Sequence, residues 1–139
     1  MSTGVYINLP VKDLVAATAF YEAMWFTKNV QFSGDTASAM VYNESLSVML
    51  LTHEFIKSFL PAHKTIADSH ATCEVLNALQ CDSKETVDVL VQKALDAGGK
   101  LTIPAYDHGF MYGKDFEDLD GHIWEIFWMD ASQMPPAQA

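Results

Sequence analysis

The sequence predicts an α+β fold made of two βαβββ modules, and three observations lead to this prediction. A strand, a helix and three strands follow one another twice along the 139 residues. The two predicted helices start at Asp13 and Asp82, and the last predicted strands of the two modules contain Val48 and Ile123. The two intervals are nearly equal, so the helix and the last strand repeat together. Half of the residues are hydrophobic, which is enough for a shared core. We expect one domain over residues 1–139, with modules at about 1–60 and 70–130.

The first module starts with a predicted strand over residues 5–11. Asp13 then has the character of a helix N-cap, and residues 14–25 place apolar side chains every three or four positions, which indicates a helix. Residues 31–52 alternate polar and apolar side chains between turn signals, and we expect strands there. A short amphipathic segment after residue 52 leads to the second module.

The second module repeats this order. We expect a strand over residues 72–80 and a helix that starts at Asp82-Ser83 and ends at the glycine pair 98–99. Three further strands are predicted over residues 100–104, 110–117 and 123–129.

The last predicted strand carries one carboxylate, Glu125, among large apolar side chains. It follows the turn signal Asp120-Gly121 and has apolar residues on both faces. An ionised Glu in such surroundings needs a partner, a metal or a proton of its own. The face that carries Trp124 and Trp128 must also be covered, so we expect a homodimer or a packed helix over it.

Several segments resemble the vicinal oxygen chelate superfamily, which includes glyoxalases, bleomycin-resistance proteins and extradiol dioxygenases. The turn and strand over residues 116–128 look like the last strand of that family. Residues 6–14 with the Phe20-Tyr21 pair look like its opening strand and helix, and residues 80–99 look like the same step again. The resemblance implies two modules that form a curved mixed sheet around a cavity, and it implies that a homodimer is common.

Metal-using relatives draw four ligands from His, Gln and Glu on the first and fourth strands of each module. Carried over by position, these sites fall on Tyr6, Leu76, Leu50 and Glu125, with Val75 as an alternative to Leu76. A phenol and one carboxylate bind divalent ions poorly, so we predict no metal and no other cofactor. A non-standard site that uses Glu74 or a loop histidine (His70, His108 or His122) stays open.

Strand parity predicts the residues that line the cavity. The candidate ligand-binding residues are Tyr6, Asn8, Leu50, Leu76, Gln80, His108, Tyr112 and Phe127. Glu125 is the candidate catalytic residue, as a general base. The alternative is that the sheet fills its own concavity with apolar side chains.

Charge and composition exclude several partners. The formal net charge is −10 and Lys plus Arg number only eight, so we expect no nucleic acid and no anionic membrane as partners. The N-terminal residues lack the pattern of a secretory signal, and no apolar stretch is long enough to cross a bilayer, so we expect a cytoplasmic protein.

Three functions are compatible with these observations. The first is metal-independent binding of a small hydrophobic or cationic molecule, because the acidic chain favours a cationic ligand. The second is an enzyme: the resemblance implies a metal-dependent lyase of the lactoylglutathione lyase type, an isomerase or a dioxygenase, and Glu125 could also act as a base without metal. The third is a structural module with a plugged cavity. The sequence leaves the ligand, any reaction and the dimer geometry open.

Overall fold

The computed structural model describes residues 2–134, 136 and 137 of the chain. Its strands are β1 (Val5–Val11), β2 (Thr27–Asn29), β3 (Ala37–Val41), β4 (Leu46–Thr52), β5 (Leu76–Cys81), β6 (Lys100–Leu101), β7 (Tyr106–Asp107), β8 (Met111–Glu117) and β9 (Ile123–Met129). Its α-helices are α1 (Leu14–Ala23), α2 (His53–Lys57) and α3 (Lys84–Asp96). In the part of the chain that the structure describes, no helix has the length and apolar character needed to cross a membrane.

The strands form two mixed sheets, which confirms the predicted α+β fold class. The first sheet has the order β1-β4-β3-β2, and the second has the order β5-β9-β8-β6 with the short β7 paired to β8. Strand β1 runs parallel to β4 and β5 runs parallel to β9, whereas the other pairs are antiparallel. The same strand order therefore occurs in both halves, but on two separate sheets.

Side-chain caps start the two longer helices. The Asp13 carboxylate accepts a hydrogen bond from the Ala16 amide at 3.1 Å, which satisfies a free N–H group of α1. The cap of α3 is Ser83, whose hydroxyl accepts from the Thr86 amide at 3.0 Å. Ser83 rather than Asp82 is thus the counterpart of Asp13, and the second module is shifted by one residue from the sequence comparison.

Helix α1 contacts both sheets. It packs against β3 and β4 of the first sheet. Its Phe20 ring lies 6.2 Å from the Phe116 ring of β8, and its Tyr21 ring lies 6.1 Å from the Trp124 ring of β9, measured between centroids. Trp124 is buried in this contact. Of the two coverings expected for the Trp124 face, the structure therefore shows a packed helix.

Hydrogen bonds join the two halves where β1 ends and β9 begins. The Lys12 amide donates to Asp120 Oδ1 at 2.8 Å, and His122 Nε2 lies 2.8 Å from the Pro10 carbonyl oxygen. The segment of residues 58–75 runs beside this seam and helps to enclose depressions of about 580 and 530 Å³. The predicted ligand-binding residue Asn8 lines the second depression, together with Glu74 and His122, and His70 and His122 line the first.

Candidate functional site

The open face of the first sheet is neutral and mostly apolar. The register of β1 and β4 puts Tyr6 beside Ser47 and Asn8 beside Met49 on this face. A depression of about 450 Å³ lies there, lined by Tyr6, Asn8, Asn29, Phe32, Ala39, Val41, Ser47 and Met49. These lining residues include no charged group, and Tyr6 remains 65% exposed.

The open face of the second sheet carries carboxylates. The register of β5, β8 and β9 places on this face Leu76, Ala78, Gln80, Asp115, Glu117, Ile123, Glu125 and Phe127. Asp115 and Glu125 are direct partners across β8 and β9. Directly opposed residues of an antiparallel pair have Cβ atoms about 4.5–5.5 Å apart. Asp115 and Glu125 are called the carboxylate pair below.

Tyr106 of β7 lies over the carboxylate pair. Its hydroxyl donates a hydrogen bond to Asp115 Oδ1 at 3.1 Å. Asp115 is only 5% exposed, and burial raises the pKa of its carboxyl, while the hydrogen bond from Tyr106 lowers it in part. Burial and the negative charges of Asp115 and Glu125 raise the pKa of Tyr106 to about 12. The phenol is therefore a hydrogen-bond donor at neutral pH.

Two opposed carboxylates on one sheet face repel each other. Like charges directly opposite across a strand pair destabilise the sheet, and a proton or a bound cation removes this repulsion. The carboxylate pair can therefore do two things chemically: hold a cation between its oxygens, or carry a proton that it passes to a substrate. Sequence reasoning found Glu125 but missed Asp115. The turn signal before β9 indicates a hairpin, but the pairing of Asp115 with Glu125 depends on the exact strand register, which that signal does not give.

A row of rings runs along the hairpin that joins β7 to β8. The centroids of the Tyr106 and His108 rings are 6.2 Å apart, and those of His108 and Phe110 are 6.3 Å apart. The interplanar angles are 30° and 29°, so the three rings are stacked. His108, a predicted ligand-binding residue, is exposed in the middle of this row. An aromatic surface thus borders the carboxylate pair.

The structure divides the predicted site residues between two surfaces. Leu76, Gln80, Glu125 and Phe127 share the open face of the second sheet, as their parity predicts. Tyr6 and Asn8 lie on the first sheet. No hydrogen bond joins Tyr6 to Glu125 among the residues that the structure describes, and the neighbours of Glu125 are instead Asp115 and Tyr106.

Two predicted ligand-binding residues lie on the faces of their strands that pack against the helices, not on the open faces. Leu50 is 0% exposed on the side of β4 that packs against the helices, and it pairs with Leu9 of the core. The prediction that Leu50 lines the cavity is therefore wrong. Met49 takes that place, because a one-residue slip turns every side chain of a strand to the other face. Tyr112 is also displaced, since its hydroxyl donates to Asp88 of α3 at 2.6 Å.

The side chains at the implied metal positions do not fit a divalent ion. With the corrected register these positions hold Tyr6, Met49, Leu76 and Glu125. Leu76 has no donor atom and the Met49 thioether is a soft and weak ligand, so a phenol and one carboxylate are the hard donors at these four positions. Within residues 2–134, 136 and 137, no cluster of three or more His, Cys, Asp or Glu could hold a metal ion.

Comparison with known proteins gives one family match. The sequence profile described as Glyoxalase/Bleomycin resistance protein/Dioxygenase superfamily matches residues 5–126. No curated protein sequence matches the chain.

Solved structures of similar fold cover nearly the whole chain. A hypothetical protein from S. aureus is 27% identical, with a TM-score of 0.75, and the match covers 92% of this chain and 95% of that one. A glyoxalase/bleomycin resistance protein/dioxygenase family enzyme from Burkholderia phytofirmans is 23% identical, with a TM-score of 0.75 and coverage of 89% and 96%. A genomically encoded fosfomycin resistance protein from Listeria monocytogenes is 20% identical, with a TM-score of 0.67 and coverage of 95% and 97%.

Proposed function

This chain belongs to the glyoxalase/bleomycin resistance protein/dioxygenase superfamily, and we propose that it is a ligand-binding member of it. In this proposal the protein binds a small aromatic cation and uses no metal. The observation that carries the proposal is the carboxylate pair on the open face of the second sheet. Asp115 is buried although no basic side chain bonds to it among the described residues. A cation from outside the chain would supply the missing partner.

Electrostatics favour a cationic ligand. The formal net charge of −10 attracts cations toward the protein. At the carboxylate pair, an ammonium group would relieve the repulsion between Asp115 and Glu125, because it brings a positive charge between them. A neutral donor can form a hydrogen bond with one carboxylate but adds no attraction between opposite charges. The pair is therefore a better site for an ammonium than for a neutral donor.

The surroundings favour an aromatic body on that cation. Phe127 lies next to Glu125 on the same face, and the row of rings from Tyr106 to Phe110 borders it. Aromatic faces attract cations and stack with flat ligands. A pocket with an apolar wall and a few convergent polar groups is the usual composition of a small-molecule site.

We propose that a homodimer closes this site. Both open faces carry exposed apolar side chains, Tyr6 at 65% on the first sheet and Leu76 at 52% on the second. Exposed apolar sheet faces of this kind are typical of interaction surfaces. The neutral first sheet of one protomer would cover the acidic second sheet of its partner.

Sedimentation equilibrium at micromolar concentration tests this dimer. We expect the wild-type chain to sediment as a dimer and Leu76→Lys to sediment as a monomer, because the charge would be buried in the interface. Val89→Lys is the matched control, since Val89 is an exposed apolar residue on α3, away from both open faces. A monomeric wild-type chain, or a Leu76→Lys variant that stays dimeric, would contradict the dimer.

Proton transfer at the carboxylate pair is the second candidate function. Burial raises the pKa of the Asp115 carboxyl, so this residue can hold a proton beside Glu125, which would act as the base. The metal-dependent alternative has less support, because Leu76 and Met49 stand where the resemblance implies metal ligands.

Isothermal titration calorimetry with 2-phenylethylammonium tests the binding proposal. We expect saturable binding to the wild type, and a loss of about tenfold or more in affinity for Asp115→Asn and for Glu125→Gln, because each removes a charge-assisted hydrogen bond. The variants Asp96→Asn and Glu85→Gln make the same charge changes on the exposed surface of α3 and should keep the wild-type affinity.

The neutral probe 2-phenylethanol separates charge from shape. It has the same ring and chain length but no positive charge, so we expect it to bind weakly and alike to all of these variants. Equal affinity of the wild type, Asp115→Asn and Glu125→Gln for the ammonium would contradict the proposal.

A further inference from the structure

The Tyr106 side chain occupies the space directly above the strand beside the carboxylate pair. Tyr106 pairs with Gly113 across β7 and β8. A Cβ atom at Gly113 would overlap the Cζ, Oη and Cε2 atoms of Tyr106. The phenol therefore rests on the bare backbone of Gly113, and no larger residue could stand beneath it. Two positions further along the same face, Asp115 accepts the Tyr106 hydrogen bond.

The backbone of Tyr106 is held by a short strand pairing, because β7 is two residues long and pairs only with β8. The preceding residues 102–105 are exposed. The next residue, Asp107, forms an ion pair with Lys84 at 3.7 Å, in which both side chains are solvent-exposed, and exposed ion pairs contribute little to stability. The ring itself is held by its hydrogen bond to Asp115, by its contact with Gly113 and by stacking on His108 at 6.2 Å.

We propose that the Tyr106 phenol is an internal substitute for the ligand. It presents an aromatic ring over Gly113 and a hydrogen-bond donor to Asp115, and these are the two features that a ligand of this site must supply to replace it. The inference deepens the proposed function and rests on it. It defines the ligand class as an aromatic ring that bears a short N–H or O–H donor arm, with an ammonium preferred.

Electrostatics favour replacement of the Tyr106 phenol by an ammonium ligand. Both the phenol and an ammonium donate to the Asp115 carboxylate, but only the ammonium adds an attraction between opposite charges. The ammonium can also reach Glu125, which faces Asp115 across the strands. An aromatic ring on the ligand then replaces the contacts that the phenol loses with the backbone of Gly113. Tyr106 and Gly113 would thus determine which molecules enter.

Two variants test the internal substitute through opposite effects. Tyr106→Ala deletes the ring and leaves a space with the shape of a phenol over Gly113. We expect it to bind 2-phenylethylammonium about tenfold more tightly than the wild type, since the lost hydrogen bond no longer competes. The double variant Tyr106→Ala, Gly113→Ala puts a methyl group into that space; Gly113 does not have a positive φ, so alanine suits its backbone. We expect the double variant to lose the gain, because the added Cβ excludes a ring from above residue 113.

Further probes and a control variant test the shape of the space. Tyr106→Ala should bind 4-methylphenol, which restores both ring and donor, and should not gain affinity for anisole, which has the ring but no donor. Tyr112→Ala is the matched control, because Tyr112 also donates to a carboxylate, Asp88, but on the opposite face of β8. Its affinities should equal those of the wild type.

The outcomes separate this inference from the proposed function. Wild-type binding that depends on the carboxylate pair, without a gain in Tyr106→Ala, would overturn the internal substitute and leave the proposed function standing. Weaker binding by Tyr106→Ala would also overturn it, since Tyr106 would then be a wall of the site. A gain that persists in the double variant would overturn it as well, since the ligand's ring would then not lie over residue 113. No binding by either the wild type or Tyr106→Ala would contradict both the substitute and the proposed function.

Discussion

The Tyr21 hydroxyl donates a hydrogen bond to Asp118 Oδ2 at 2.5 Å, which joins α1 of the first half to the turn between β8 and β9 of the second. Trp124 Nε1 donates to the same Tyr21 oxygen at 3.0 Å. Asp118 Oδ1 accepts the amides of Asp120 and His122, each at 2.9 Å. This buried network fixes the position of the first helix against the last strand, which carries Glu125.

Tyr21→Phe should destabilise the protein by about 1–3 kcal/mol, because it leaves the buried Trp124 N–H and Asp118 Oδ2 without their partner. Urea unfolding measures the change. Tyr112→Phe is the matched control, since it also breaks a bond from tyrosine to aspartate, but on the surface, and it should cost less than about 1 kcal/mol. Equal losses in the two variants would show that burial of the Tyr21 network adds nothing.

Asp115→Asn should change how stability depends on pH. Because the folded state raises the pKa of Asp115, it binds that proton more tightly than the unfolded chain. This stabilisation is fully present below the ordinary aspartate pKa of about 3.9 and is lost as pH rises through the folded pKa. Asparagine cannot ionise, so the variant should be more stable than the wild type at about pH 7, and the gap should narrow toward about pH 4.

Urea unfolding of Asp115→Asn and the wild type across this range measures the gap. Asp96→Asn, an exposed carboxylate on α3, should show no such trend. A variant that is more stable yet binds the ammonium less tightly is the expected signature of a residue kept for function. A difference in stability that widens toward acid pH would contradict a raised pKa of Asp115 in the folded state.

Leu50→Ala and Met49→Ala test the register of β4. Leu50 is fully buried, so its truncation should cost about 2–5 kcal/mol of the free energy of unfolding. Met49 is half-buried on the open face, so Met49→Ala should reduce the free energy of unfolding clearly less. Thermal unfolding of both variants checks this. A larger loss for Met49→Ala would restore the face assignment predicted from sequence.

Trp25 has a positive φ of 71°, directly after α1, where glycine is the usual residue. Trp25→Gly and Trp25→Ala both remove the ring and its contact with Lys93, whose Nζ lies 5.9 Å from the ring centroid. Only glycine also relieves the backbone conformation. The glycine variant should therefore be more stable than the alanine variant by about 1 kcal/mol, as measured by thermal unfolding. The reverse order would contradict the strain at this position.

The fold was predictable where side-chain alternation is strong. The predicted strands at residues 5–11 and 123–129 have the bounds of β1 and β9. The strand predicted over residues 72–80 is shorter in the structure, Leu76–Cys81, because β5 pairs only with β9, whose first residue stands opposite Leu76. Residues 72–75 therefore have no partner strand. Propensity alone does not show where a partner begins.

The site was predictable only in part, because it depends on pairing between strands. Glu125 was identifiable as a carboxylate in an apolar strand, but its partner Asp115 becomes visible only when the β8–β9 register is known. The sequence comparison of the two halves is offset by one residue, and it therefore places Leu50 on the open face although the side chain lies on the opposite one. The separation of the halves into two sheets, which parts Tyr6 from Glu125, has no local signal in the sequence.

The most direct test of the carboxylate pair as a cation site is a ¹H–¹⁵N NMR titration of the wild-type chain with 2-phenylethylammonium. We expect the largest shift changes in the amides of residues 113–115 and 125–127, where β8 and β9 hold Asp115 and Glu125. These changes should disappear in the double variant Asp115→Asn, Glu125→Gln. Shift changes that concentrate instead around Lys57 and His70, beside the seam between the halves, or that persist in the double variant, would contradict the account.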